Sequence, residues 1–388
     1  MLPPVVIEPT PPPPTPPRQP APTPTPAPPP GPNYLTHTWV PIDSWSQASG
    51  YGLLQRLPFY GQWRYELRTA RGVFGFAVGS RIAFWQGAGF ALGFRPQFVQ
   101  GHPCLHTLDL QKSILPLLAF PEPGLKSAAI IVLDPGHGGR NPGARNVWND
   151  HWEKEFTLDW AWRIQRLLAT NGWRVYLTRT NDLDIALSSR VALAERVQAD
   201  LFVSLHFNSA AATDEPAGIE TYCMTPAGMP SSVTRDFEDD PALVFPNNAF
   251  DTQNFQYAIR LHRALVSASG TRDRTVQRAR FIGVVRHQNR PAVLIEGGYL
   301  SNPKEARRIA DPRYRQQLSE AVAGCLGRMS DHIAQGIRND VVAAGRWTNS
   351  ICFRPEVSRP VAAASAHLDS PEFSALSYPP LSVTSDEH

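Results

Sequence analysis

Apolar runs of four or five residues recur in this chain at 130–133, 201–205 (interrupted only by Ser204) and 292–295, with helix-period segments between them. Runs this short and this apolar suit strands buried on both faces, as in a parallel sheet. Over 153–169, Phe156, Trp160, Ile164, Leu167 and Leu168 share one helical face, and Asn171-Gly172 follow as a stop. A strand over 175–178, helices near 187–197 and over 254–267, and a C-terminal helix presenting Tyr314, Leu318, Val322, Cys325 and Met329 complete the alternation. The pattern predicts an α/β fold: a twisted, largely parallel sheet flanked by helices on both faces, preceded by a small β-rich module. Ligands of such sheets bind at the carboxyl ends of strands.

Residues able to do chemistry stand where those runs end. His137 follows the first, in Asp134-Pro135-Gly136-His137-Gly138-Gly139, where glycines permit a tight turn and close approach to a ligand. Such a turn could also cradle a phosphate, but G-x-G-x-x-G and the Walker lysine are both absent. His206 ends the second run in Ser204-Leu205-His206-Phe207-Asn208, a place where a core histidine is the ordinary explanation. Asn208 behind it could orient a substrate or make a turn. Glu296 ends the third run before Gly297-Gly298; a carboxyl there suits a general base and acid, or a structural hydrogen bond. Glu153 opens the first helix, where Asp150-His151-Trp152-Glu153 reads as a capping box with Asp150 as N-cap and Glu153 at N3. The same place aims a carboxylate at the strand ends. Two imidazoles and a carboxylate make a zinc site with an open position, and a second carboxylate can move protons. Each residue has an ordinary structural explanation singly. Their convergence on one sheet edge is the stronger argument.

The rest of the chain narrows the setting. Its 388 residues leave room for two domains and tails, and a net charge of +3 argues against a nucleic-acid partner. Cys104, Cys223, Cys325 and Cys352 lack CxxC spacing, which argues against a thiolate metal site, and leave free thiols or one or two disulfides open. No apolar run reaches the length of a transmembrane segment, and the start, Met1-Leu2-Pro3-Pro4, lacks the charged and apolar regions of a secretory signal. Residues 1–33 hold 17 of the 39 prolines and read as an extended linker. Residues 338–388, rich in Ala, Ser and Pro, read as a disordered tail. Between 34 and 120 short strands are expected at 63–67, 73–78, 82–85 and 98–99, with turns at 79–81 and 87–89. That segment carries seven Lys/Arg against three Asp/Glu, a balance of +4 that could favour an anionic surface such as a cell wall.

Two resemblances follow. Ile131-Val132-Leu133 with the His137 turn, Glu153-Lys154, Leu177-Thr178-Arg179, Arg190 with Val191-Ala192-Leu193-Ala194, Ala199-Asp200 through Asn208, Gly218-Ile219-Glu220-Thr221-Tyr222, and Pro291 through Pro303 resemble the zinc-dependent N-acetylmuramoyl-L-alanine amidases of the amidase-3 family. The likeness runs in order from about 128 to 335, within a catalytic domain expected over 128–337. It implies zinc on His137, Glu153 and His206, and Glu296 as the catalytic glutamate. It implies hydrolysis of the amide between N-acetylmuramic acid and L-alanine in peptidoglycan, and a place in the cell envelope or periplasm. Asn208 and Arg190 are candidates for touching substrate. The alternatives are another zinc peptidase acting on wall peptides, or a wall-binding protein without catalysis. Trp39-Val40-Pro41-Ile42-Asp43, Gly79-Ser80-Arg81 and Gln100-Gly101-His102-Pro103 with Leu108 resemble the copper amine oxidase N-terminal-like module, expected over 34–120. That likeness implies no copper, since His102 and His106 lack supporting ligands.

Three departures from the amidase pattern matter. Thr275 stands where the family usually has glycine, in what reads as a loop before the catalytic strand, and Glu195-Arg196 replace a usual Asn-Lys. Residues 224–253 exceed what a minimal member needs. Some relatives carry an occluding segment in a comparable region, so this stretch could gate the site until an activator protein binds, or merely decorate the surface.

Overall fold

The computed structural model describes residues 38–334 apart from 60–61, 121–122, 124, 126–128, 171, 211–215 and 235–238; from 328 onward it describes only the backbone. The proline-rich stretch, the C-terminal tail and the Met329 side chain lie outside the described residues. Eight strands come first: β1 (Trp39–Pro41), β2 (Leu54–Phe59), β3 (Gln62–Thr69), β4 (Gly72–Ala77), β5 (Ile82–Trp85), β6 (Ala88–Ala91), β7 (Gln97–Val99) and β8 (His102–His106). Six more follow: β9 (Ile130–Pro135), β10 (Arg174–Leu177), β11 (Leu201–Asn208), β12 (Ile219–Met224), β13 (Asp273–Ala279) and β14 (Ala292–Tyr299). The helices between and after these six are α1 (Glu153–Ala169), α2 (Leu187–Arg196), α3 (Asp251–Ser269), α4 (Gly283–Arg286), α5 (Pro303–Ala310) and α6 (Pro312–Ala334).

The apolar runs form the centre of a mixed sheet ordered β10-β9-β11-β14-β12-β13. Its first four strands are parallel, β12 runs antiparallel to β14, and β12 and β13 are parallel again. Successive side chains of a strand face opposite ways, so β14 sends Val293 and Ile295 into one core and Ala292 and Leu294 into another. The first core meets Phe156, Trp160, Ile164 and Leu168 of α1, Phe255 and Ile259 of α3, and Leu318 and Val322 of α6. The second meets Ala194 of α2 and Val284 and Val285 of α4. Each fully buried Val, Leu or Ile contributes about 1.5–3 kcal/mol, so both faces are fixed by apolar burial, as the sequence predicted.

Strands of the aromatic segment continue this sheet. β6 pairs with β13 through Val276 and Phe90, and β5, β4, β3 and β2 follow as an antiparallel meander. β1, β8 and β7 form a separate three-stranded sheet. The junction is polar as well as apolar. Asp273 Oδ2 accepts the Gly89 N–H at 2.8 Å, and the buried Arg278 reaches Lys112 O and Ser113 Oγ, both at 3.0 Å.

Three local readings need correction. The turn expected at 87–89 is centred one residue earlier, on Gln86 (φ +48) and Gly87 (φ +88), and Ala88 already belongs to β6; positive φ at both centres is what a two-residue hairpin with right-handed twist requires. Thr275 lies inside β13, not in a loop. The β12–β13 register shifts between Ile219 and Thr221, a bulge on the β13 side, and Thr275 has φ +73 there. That conformation explains why glycine is usual at the position. Helix α1 begins later than the capping box implied: Trp152 is its N-cap, and Glu155 at N3 accepts the Trp152 N–H at 3.1 Å.

Candidate active site

Freed from capping, the Glu153 carboxylate turns inward to the strand ends. Its Oε1 accepts the Phe207 N–H at 3.1 Å and lies 2.9 Å from His206 Nδ1; its Oε2 accepts the Ala144 N–H at 3.0 Å and lies 3.1 Å from His137 Nε2. All three residues are buried, and the two rings stand nearly perpendicular with centroids 4.9 Å apart. One donor atom from each falls within 4.8 Å of the others, so the group could hold a metal ion.

The chemistry of the donors fits zinc. The far nitrogen of His137, Nδ1, lies 2.9 Å from the side-chain oxygen of Asn141, which only accepts. That contact places the ring proton on Nδ1 and leaves the Nε2 lone pair facing Glu153, the arrangement by which a second partner orients a metal-ligating histidine. Space for the rings is built from glycine. A Cβ at Gly136 would sit 2.2 Å from His206 Cε1, and one at Gly143 (φ +71) would sit 2.6 Å from Glu153 Oε2.

Charges in the cluster are coupled. Burial disfavours the ionised Glu153, but the two imidazoles more than offset it and hold the carboxyl well below its ordinary range. Burial likewise works against a protonated His137, yet Glu153 and Asn141 leave its pKa raised; for His206 burial wins and the pKa is lowered.

Two buried arginines hold the His137 turn. Arg179 donates to the carbonyls of Pro135, Gly136 and Lys154 at 3.0, 2.8 and 2.7 Å. Arg190 pairs with Asp134 at 2.6 Å and donates to the carbonyls of Pro135 and His137 at 2.9 and 2.8 Å. With Arg190 only 4% exposed, its guanidinium supports the turn through these contacts. Asp134 also accepts from Thr178 and Ser204 hydroxyls, at 2.6 and 2.8 Å, which locks β9 to its two neighbours.

His206 and Glu296 lie within their strands, because β11 and β14 extend past the apolar runs to Asn208 and Tyr299. They are register partners on adjacent parallel strands, and Glu220 of β12 is the partner of Glu296 on its other side. Glu296 and Asn208 line a cavity of about 60 Å³ together with Tyr222, Val233, Phe281 and Leu294. Asn208 donates to Glu220 Oε2 at 3.0 Å. Sequence reasoning missed Asn141 and Glu220. The first gave no signal beyond lying four residues after His137; the second is the one charged residue of its strand and shares a face with Tyr222, a signal that could have flagged it.

About half of this chain is similar in sequence to known proteins. Residues 131–328 match the Amidase_3 family, N-acetylmuramoyl-L-alanine amidase. The chain is 28% identical over 238 residues to the N-acetylmuramoyl-L-alanine amidase AmiC of Escherichia coli O6:H1, covering 55% of this chain and 56% of that protein. It is 32% identical over 192 residues to the amidase LytC of Bacillus subtilis, covering 50% of this chain and 34% of that one. The chain thus spans about half the length of the first relative and a third of the second. Among solved structures, an N-acetylmuramoyl-L-alanine amidase from Clostridium difficile 630 aligns with 29% identity and a TM-score of 0.45, over 54% of this chain and 100% of that one. With just over half of its length matched by the family, the chain belongs to the Amidase_3 family of N-acetylmuramoyl-L-alanine amidases.

Proposed function

We propose that this protein hydrolyses the amide between the lactyl group of N-acetylmuramic acid and the L-alanine of the peptidoglycan stem, with zinc held by His137, Glu153 and His206. The observation that carries this reading is the buried His-Glu-His cluster, its His137 tautomer fixed by Asn141, one strand away from Glu296. Zinc held by these three residues would supply a Lewis acid and would lower the pKa of bound water. Glu296 takes the proton from the attacking water and returns it to the leaving α-amine of alanine, which would otherwise depart as an unstable anion. Glu153 keeps its charge through its two backbone N–H partners and both imidazoles. Apolar walls at Val233, Phe281 and Leu294 restrict bulk water near Glu296.

A peptidoglycan substrate places the protein in the cell envelope. Among the described residues no helix is long and apolar enough to cross a membrane. Segment 224–253 supplies Val233 to the cavity wall, and that cavity has room for a few waters but not for a sugar-peptide. This supports a restricting role for the segment, relieved by an activator protein. The test is release of free stem peptides from purified muropeptides. Turnover should vanish with a chelator and return with zinc, and Glu296→Ala should lose about 10²–10⁴-fold while keeping its metal. Binding to wall without any peptide release would favour a non-catalytic protein instead.

A further inference from the structure

One buried carboxylate at the candidate site takes no part in the steps above. Glu220 is 5% exposed, and four side chains from four strands donate to it. Asn208 of β11 and the Tyr222 hydroxyl of β12 meet Oε2 at 3.0 and 2.7 Å; Arg274 Nε of β13 and the Tyr299 hydroxyl of β14 meet Oε1 at 2.6 and 2.8 Å. A carboxylate has about four lone-pair sites, and here each has a donor. The network has a direction. His206, Glu296 and Glu220 are successive register partners across β11, β14 and β12, so metal ligand, proton carrier and Glu220 stand in one row on one face. Neighbouring strands lie about 4.8 Å apart.

Two of the four donors, Asn208 and Tyr222, line the cavity that Glu296 opens into. Asn208 is fixed at both ends, since its Oδ1 accepts the Ser209 N–H at 2.8 Å while its amide nitrogen serves Glu220. Burial first, and the Glu220 charge second, raise the pKa of Tyr222 and Tyr299, so both phenols keep the protons they donate. Stability alone is a poor reason for this arrangement. A buried ion pair such as Glu220–Arg274 adds little over apolar packing, and the strands are already held by their backbone ladders. Catalysis is a better one, because polar groups locked before reaction need not reorganise as charge develops.

We propose that Glu220 is a positioning residue for the hydrolysis: it fixes Asn208, Tyr222 and Tyr299 about Glu296 so that the cavity wall facing the scissile amide is set in advance. The inference rests on the amidase reading. It is tested with the zinc-loaded full chain on a soluble muropeptide, measuring kcat, KM, zinc content and thermal unfolding for wild type, Glu220→Gln, Glu220→Asp and Glu296→Ala. Glu220→Gln should lower kcat by about 30- to 100-fold, with KM within about threefold of wild type and zinc content unchanged, and Glu220→Asp should recover part of the loss. The proposal is overturned if Glu220→Gln turns over within twofold of wild type, or raises KM alone. It is equally overturned if Glu220→Gln and Glu220→Asp both shed zinc or lose cooperative unfolding. A wild type that releases no peptide overturns the amidase reading and this inference together, whereas an active wild type beside an equally active Glu220→Gln overturns only the inference.

Discussion

Gly143 and Asn141 shape the candidate metal site without offering it a lone pair. At Gly143 (φ +71) a methyl group would meet both Glu153 Oε2 and His137 Cδ2 inside 2.8 Å. Gly143→Ala should therefore fold with modest loss of stability yet bind zinc far more weakly. Asn141→Ala removes the acceptor that orients His137 and should weaken zinc binding by about 10- to 100-fold. Competition against a chromogenic chelator measures both, and wild-type affinity in either variant would refute the orienting role. The sequence made the donors legible, because His137, His206 and Glu296 follow apolar runs that must be strands. It could not show Asn141, whose role depends on a turn bending back through positive φ at His137, Gly138 and Gly139. Nor could it show that Arg190 faces the turn's carbonyls, since a lone arginine on a helix carries no sign of its partner.

At the scale of elements, strand order and helix faces were readable because apolar periodicity encodes them. Exact ends were not. The Glu153 helix starts where Glu155 caps Trp152, and Asp150 takes φ +57 outside it, a choice set by the loop's contacts with Leu300 O and Ala306 O. The β6–β13 junction was invisible for the same reason: a single bridging pair and one bulge leave no periodic trace. Near it, Asp109 is buried and accepts the Gly93 and Phe94 N–H groups at 2.7 and 2.9 Å. Burial dominates over those bonds and over Arg278 and Arg81, pushing its pKa up to about 6. The folded state thus keeps a proton that the unfolded chain releases near pH 4. Its contribution to stability is full below about pH 4 and is lost as pH rises through 6, by about 3 kcal/mol at ~1.4 kcal/mol per unit. Asp109→Asn does not titrate, so its unfolding free energy relative to wild type should improve by about that amount between pH 4 and 7. A difference that stays flat across this range in denaturant titrations would contradict the assignment.

At the scale of the described molecule, one sheet carries both the candidate site and the strands of the aromatic segment, and of segment 224–253 Val233 lines the cavity beside Glu296. Arg280, 3% exposed, holds that segment through Asp239 at 2.8 Å and the carbonyls of Pro226 and Met229 at 2.8 and 2.6 Å, and Arg81 reaches Ser231 O at 3.4 Å. Replacing residues 232–240 with a short glycine linker, together with Arg280→Met so that no guanidinium is left buried without its partner, should raise activity on isolated wall. An unchanged rate would remove the gating role.

On the proposed reading, the buried His137, Glu153 and His206 hold zinc beside Glu296 and the protein hydrolyses an amide in peptidoglycan. The most direct test of that reading joins metal analysis of the purified chain with mass spectrometry of products from defined muropeptides. One zinc per chain is expected, with products that are a free peptide beginning with L-alanine and an N-acetylmuramic acid bearing a free lactyl carboxylate. Zinc should be lost on His137→Ala but kept on Glu296→Ala, and the second should still lose about 10²–10⁴-fold in activity. Cleavage at another bond, or full activity after zinc is stripped, would contradict it.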